Sequence, residues 1–336
     1  NILQNSFYLM GIAVLGLFFI AVNYATNAGW FMALKRIPES FTRIIPIAWG
    51  LLFLVWILEM AGLTHLHPWT NPEAVEADPL LQAKEWYLNL PFFLIRQLLI
   101  IAAWIIVDRL MRKYSTSEDA IGGTKLFRKR RQLGAIFLVI FAVSWSLSCF
   151  DWVLAVDPHW FSTMFAVHMF ANHFVSALCM MVIIGVYMKA KGFMPYINES
   201  HLHDLGKFIF GFSIFWTYVW FSQYMLIWYA NIPEETMFFI KMIDQYPFLF
   251  AFNLVINFVF PLLGLMTNTS KRRPMALAIA AAIIFLGKYV DLFLMVSSST
   301  LGGDRSIGFL EIGTYLLFLG LFLVLTFRAL EKTNLI

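Results

Sequence analysis

Charge is scarce in this chain. Asp, Glu, Lys and Arg make up 13% of its residues, about half of what a soluble domain carries. That excludes a water-solvated globule. The hydrophobic share is 60% and the mean hydropathy +0.74, so the reading is an all-α polytopic membrane protein. Cysteine is nearly absent. Cys149 and Cys179 both lie in apolar stretches, which points to neither a disulfide framework nor a Cys-ligated cluster. No dinucleotide-type or phosphate-loop glycine signature is present. The net charge of +4 is too small and too scattered for a nucleic-acid footprint and suits anionic lipid headgroups better.

Long apolar runs are what the sequence has in quantity. A helical crossing needs about 20 largely apolar residues. Nine segments qualify, at 6–27, 40–63, 90–111, 132–156, 161–188, 206–230, 246–267, 274–297 and 308–328. The segment over Phe7–Thr26 lacks a basic flank and a small-residue cleavage site, so it reads as a spanning helix and not a signal peptide.

The loops alternate in charge. One side holds Lys35, Arg36, Arg43, the basic run from Arg109 to Arg131, Lys189, Lys191, Lys207, Lys271–Arg273, Arg328 and Lys332. The other holds only Lys84, Lys241 and Arg305, with acids such as Glu73, Glu76, Asp78, Asp157, Glu234 and Glu235. The positive-inside rule places the basic loops and the C-terminus in the cytoplasm. Asn1 then lies outside, and a tenth helix is expected upstream of it. The chain reads as one integral domain over 1–336. Residues 112–131 form a basic cytoplasmic linker, expected to be flexible because "YSTSEDAIGGTK" has no apolar period.

Ionisable residues inside a span are costly, and each needs a reason. Asp151 follows Ser144 and Ser148 on one helical face, about a turn and a half from the outer end. It is either a hydrated interfacial acid or a proton or quinone site. His168, Asn172, Ser176 and Cys179 are spaced 4, 4 and 3, with His173 on the flank. That stripe is either helix–helix glue or a proton relay, a task that suits histidine. Lys288 and Asp291, at i and i+3, can neutralise each other, as a structural pair or as a proton site with its counter-ion built in. Glu311 lies near the outer end of the last segment. Glu59 is expected to pair with Arg96. Asn253 and Asn257 precede Pro261, which suggests a kink with hydrated amides. Most of these positions fall in the outer half of the membrane, as a half-channel open to one side or a quinone pocket would, and the inner half reads as drier. No two histidines match for a haem between helices. "HLHPW" (65–69) is a weak metal pattern.

The stretch "SCFDWVLAVDPHWFSTMFAVHMFANHFVSA" (148–177), together with "GKYVDLFLMV" (287–296), resembles membrane subunits of the NrfD or polysulfide-reductase type. It is most similar to the ActF-type membrane component of bacterial alternative complex III, a quinol:cytochrome c or electron-acceptor oxidoreductase. The resemblance covers most of the chain. It implies ten helices with two four-helix bundles, and a place in the bacterial inner membrane. It implies partners: a paralogous quinol-binding membrane subunit, a periplasmic multihaem cytochrome c, iron–sulfur subunits and a terminal oxidase. Haem and iron–sulfur centres would sit in those partners, and quinone is the one cofactor this chain would meet, at Asp151 or His168. The paralogue carries a His just ahead of the shared aromatic–Asp. Here "AVSWSLSCFD" (142–151) has none, which argues against quinol oxidation by this chain itself. The resemblance assigns proton conduction to Asp151, His168, Lys288 and Asp291, and His173 and Glu311 complete the set of proton-path candidates.

Overall fold

The computed structural model describes residues 1–122, 124–298 and 308–333 fully, and the backbone of 299 and 300. Fifteen α-helices make up most of the described residues, among which there is no strand. In chain order they are α1 (Ile2–Ala25), α2 (Arg36–Phe41), α3 (Ile45–Met60), α4 (Pro72–Ala77), α5 (Pro79–Lys84), α6 (Leu90–Ile121), α7 (Lys125–Trp152), α8 (Phe165–Ala190), α9 (Glu199–Ala230), α10 (Pro233–Gln245), α11 (Pro247–Leu254), α12 (Phe260–Gly264), α13 (Asn268–Arg272), α14 (Pro274–Thr300) and α15 (Phe309–Glu331).

Helix starts follow local chemistry. Asn89 Oδ1 accepts from the Phe92 amide at 3.0 Å ahead of Pro91, and so opens α6. Asn198 and His201 form a reciprocal cap on α9. Pro261 has no N–H to give to the Asn257 carbonyl. The chain accordingly widens to a π-helical turn over Val255–Val259, between α11 and α12.

Among the described residues, eight helical stretches are long and apolar enough to cross a membrane. The segment 206–230, also expected to cross, lies within α9, a helix of 32 residues about 48 Å long, whose many Trp and Tyr residues leave it outside that group of eight. α1, α3, α6 and α7 pack in one ring; α8, α9, the α11–α12 unit and α14 pack in another. α1 also touches α8 and α14 and is the central helix, with 89% of its apolar window buried against 28% for α15. A helix apolar on every face is stable only where it is surrounded, which fits α1. α3, α6, α7 and α15 turn residues such as Leu99, Val139 and Leu317 outwards.

The α1–α7 contact depends on Gly134. A Cβ there would lie 2.7 Å from the backbone oxygen of Ala21, which cannot rotate away. Gly134→Ala is expected to cost about 1–3 kcal/mol of stability by forcing the helices apart. A melting temperature in detergent equal to that of the parent would refute it.

The linker differs from expectation. α6 runs on to Ile121 and α7 begins at Lys125, so only a short turn of the 112–131 stretch is non-helical. The reason is charge pairing, not apolar period. Ser115, Glu118 and Asp119 all bind groups on α2 or α7, and Gly122, with φ +70°, then ends α6.

Candidate functional site

The second ring of helices closes around Asp291. On α8, the spacing His168–Asn172 puts both side chains on the face towards α14. His168 Nε2 lies 2.7 Å from Asp291 Oδ2, and Asn172 Nδ2 donates to the same oxygen at 2.6 Å. From α9, Trp216 Nε1 donates to it at 3.0 Å. Asn253, on α11, donates to Oδ1 at 3.0 Å. Asn257, in the π turn, donates to Asn253 at 2.7 Å and to the Gly287 carbonyl at 2.9 Å. The widened turn is therefore what aims two amides at α14. Gly287 leaves room for them, since a Cβ would meet Asn257 Oδ1 at 2.9 Å.

All four helical units of the ring thus converge on one fully buried carboxyl group. Because His168 meets a carboxylate, its Nε2 carries the hydrogen. Beside this network lies Lys288, fully buried, its Nζ 3.8 Å from the centroid of the Trp216 ring. Nζ has no hydrogen-bond partner among the described residues, and neither do His168 Nδ1, Asn172 Oδ1 and Asn257 Oδ1. Buried polar atoms without partners are rare enough to need an explanation. Here four of them lie in one network, on three helices.

Lys288 and Asp291 make no direct ion pair among the described residues, although their charges act on each other across one turn of α14. Asp291 is satisfied by His168 and three neutral donors, and Lys288 rests on Trp216 instead. The His168 stripe divides between two neighbours. Ser176 accepts from Tyr8 of α1 at 3.0 Å, which is glue, while His168 and Asn172 reach the acid. His173 lies apart. Its Nδ1 bonds the Met169 carbonyl at 2.7 Å, and its ring packs on Phe7 and against Gly11 of α1. Glu311 caps α15 through the Gly308 amide at 2.9 Å and belongs to a different region.

Asp151 is in the first ring, and its partner comes from α6, not from the serines. Arg96 binds it through Nε at 3.1 Å and Nη2 at 2.9 Å; Gln97 donates at 2.7 Å and the Tyr87 hydroxyl at 3.0 Å. Ser144 instead accepts from Trp104. Glu59 does not pair with Arg96. It accepts from the His67 amide and meets His67 Nδ1 at 2.8 Å. His67 is thereby committed, and no three His, Cys, Asp or Glu residues gather for a metal among the described residues. The cysteines are free buried thiols. Outside the spans, partial burial lowers the pKa of Lys84 against the pull of Asp78 and Asp157, and its ammonium donates to the Pro158 carbonyl.

A quinone headgroup needs a donor to its carbonyl oxygens, and Asp151 does not fit that role. Both of its oxygens are taken by four donors. The aromatic cavity of about 230 Å³ nearby is lined by Tyr87, Trp86, Phe150 and Trp160, not by Asp151.

The side of the basic loops is not dry. Glu39 accepts from Arg36 at 2.7 Å, Ser115 at 2.7 Å and Arg130 at 2.9 Å, and Arg130 also binds Glu118. Arg130 is fully buried over the ring of Tyr24. Counting these residues as loop charge hid the cluster. The signal that marks it is the acid Glu39, placed among basic residues just ahead of an apolar run. Trp216, Gln97 and Tyr87 carry no comparable signal, because aromatic and amide residues are common in membrane helices and their loops and stand out by neither cost nor spacing. No protein-family model matches the chain, and no curated protein matches it.

Proposed function

We propose that this chain is a proton-handling membrane subunit of a quinol:electron-acceptor oxidoreductase of the alternative complex III type. In this reading it crosses the bacterial inner membrane nine times within the sequence given, with its basic loops and C-terminus cytoplasmic. It assembles with a paralogous quinol-binding subunit, a multihaem cytochrome c and iron–sulfur subunits. It does not oxidise quinol itself. The observation that carries the proposal is the Asp291 network. A buried carboxylate is bonded to a histidine whose other nitrogen has no partner among the described residues, next to a lysine amine that likewise has no hydrogen-bond partner among them. His168 can accept a proton at Nδ1 and pass its Nε2 proton to Asp291. The Lys288 amine supplies a second exchangeable site within the same network. The route opens towards the acidic-loop side.

The test is Lys288→Met in the intact assembly, reconstituted in liposomes, with quinol oxidation and pH change followed together. Protons released per quinol are expected to fall, or coupled turnover to slow about tenfold or more, the ordinary contribution of a positioned acid–base group being at least that large. Unchanged turnover with unchanged stoichiometry would overturn the reading and leave Lys288 a packing residue.

A further inference from the structure

On the side of the basic loops, a cavity of about 440 Å³ opens between the ends of α6 and α15, beside the corner that joins α2 to α3. Four of its lining residues are cations: Arg43 at the corner, Arg112 on α6, and Arg328 and Lys332 at the end of α15. No acid lines it. Asp108 offsets part of the Arg43 charge and Glu331 borders the adjoining groove, but with Arg112, Arg328 and Lys332 also lining it the cavity keeps a net positive charge. Arg112 Nη1 is buried and has no hydrogen-bond partner among the described residues. A donor held in that way is waiting for an acceptor.

The occupant is chosen by what surrounds the charge. Leu325 and Ala329 line the cavity from α15. Arg328 and Thr333 also line a second groove of about 670 Å³, walled by Tyr187, Phe193, Val324 and Phe327. Along α15 from Arg328, the outward residues Val324 and Leu317 are exposed and share its face. A soluble anion has no use for such a track. A lipid has, because its phosphates sit at the headgroup level while its acyl chains descend along apolar helix surface. Four cations also exceed what one phosphodiester neutralises.

We infer that this cavity is a binding site for an anionic phospholipid bearing two phosphodiester groups, with Arg43, Arg112, Arg328 and Lys332 on the phosphates and an acyl chain along the Val324–Leu317 face of α15. The inference does not rest on the proton-handling role and survives its failure.

Native mass spectrometry of the full chain, purified in detergent with whatever subunits accompany it, tests the site. Cardiolipin, phosphatidylglycerol and phosphatidylcholine would be titrated in turn. Cardiolipin is expected to bind tightest. Arg328→Gln with Lys332→Gln, both exposed and so harmless to folding, should weaken it by about 30-fold, the product of two lost surface cations. Lys125→Gln, an exposed charge outside the cavity, should leave binding unchanged. Equal retention of phosphatidylcholine would overturn the inference, as would phosphatidylglycerol binding as tightly as cardiolipin. So would an unaffected double variant, or displacement of the lipid by inorganic pyrophosphate at equal concentration.

Discussion

Replacing Arg96 with methionine is expected to destabilise the protein by about 3–5 kcal/mol, the cost of leaving one buried charge without its partner. Asp151 is fully buried and Arg96 nearly so. The guanidinium also lies 3.8 Å over the Tyr87 ring and donates to the Tyr87 carbonyl. Loss of Arg96 therefore removes the charged tie between α6 and α7 and frees the segment that leads into α6, leaving Gln97 and Trp104 to hold the two helices. Denaturation in mixed detergent should show the fall. The companion Arg96→Met/Asp151→Asn variant should recover part of it, because the amide oxygen can still accept from Gln97 and the amide NH2 can donate to the Tyr87 hydroxyl, with no orphaned charge. If the single variant unfolds within about 1 kcal/mol of the parent, the pair is a bystander. The same argument bears on function. With both oxygens of Asp151 occupied, Asp151→Asn in assemblies that survive should leave proton stoichiometry intact. A collapse of coupling there would move the proton site to the first ring of helices.

Composition made the all-helical membrane class legible, since 60% hydrophobic residues and the long apolar runs leave few alternatives. Individual polar residues were legible for the same reason: in an apolar helix, a single Asp or Lys stands out by its cost. Their partners were not. Lys288 and Asp291 are one turn apart, and spacing alone pairs them. Asp291 is instead satisfied from three other helical units, and no one-dimensional pattern reports which helices meet. Glu59 and Arg96 sit at similar depths, yet Glu59 turns to its own following loop. The 112–131 stretch misled in the opposite sense. Its helix is held by ion pairs to α2 and α7, a periodicity of charge that an apolar template does not detect.

Two substitutions one turn apart on α14 are expected to move stability in opposite directions. Asp291→Leu removes the acceptor of four donors: His168, Asn172, Trp216 and Asn253. Each orphaned donor costs about 1–3 kcal/mol, and they do not all find new partners. The loss should exceed about 4 kcal/mol and prevent recovery of folded protein in most detergents. Lys288→Met should leave stability unchanged or raise it. The methionine fills most of the same volume beside Trp216 with a polarisable thioether, and it removes a buried amine that has no hydrogen-bond partner among the described residues. Thermal unfolding of the two variants beside the parent decides the matter. A large loss for Lys288→Met would mean that the amine holds the fold, and the reason to read it as a proton site would go. A gain in stability together with lost coupling would mean that the amine is retained at a cost to the fold, for what it does in the assembly.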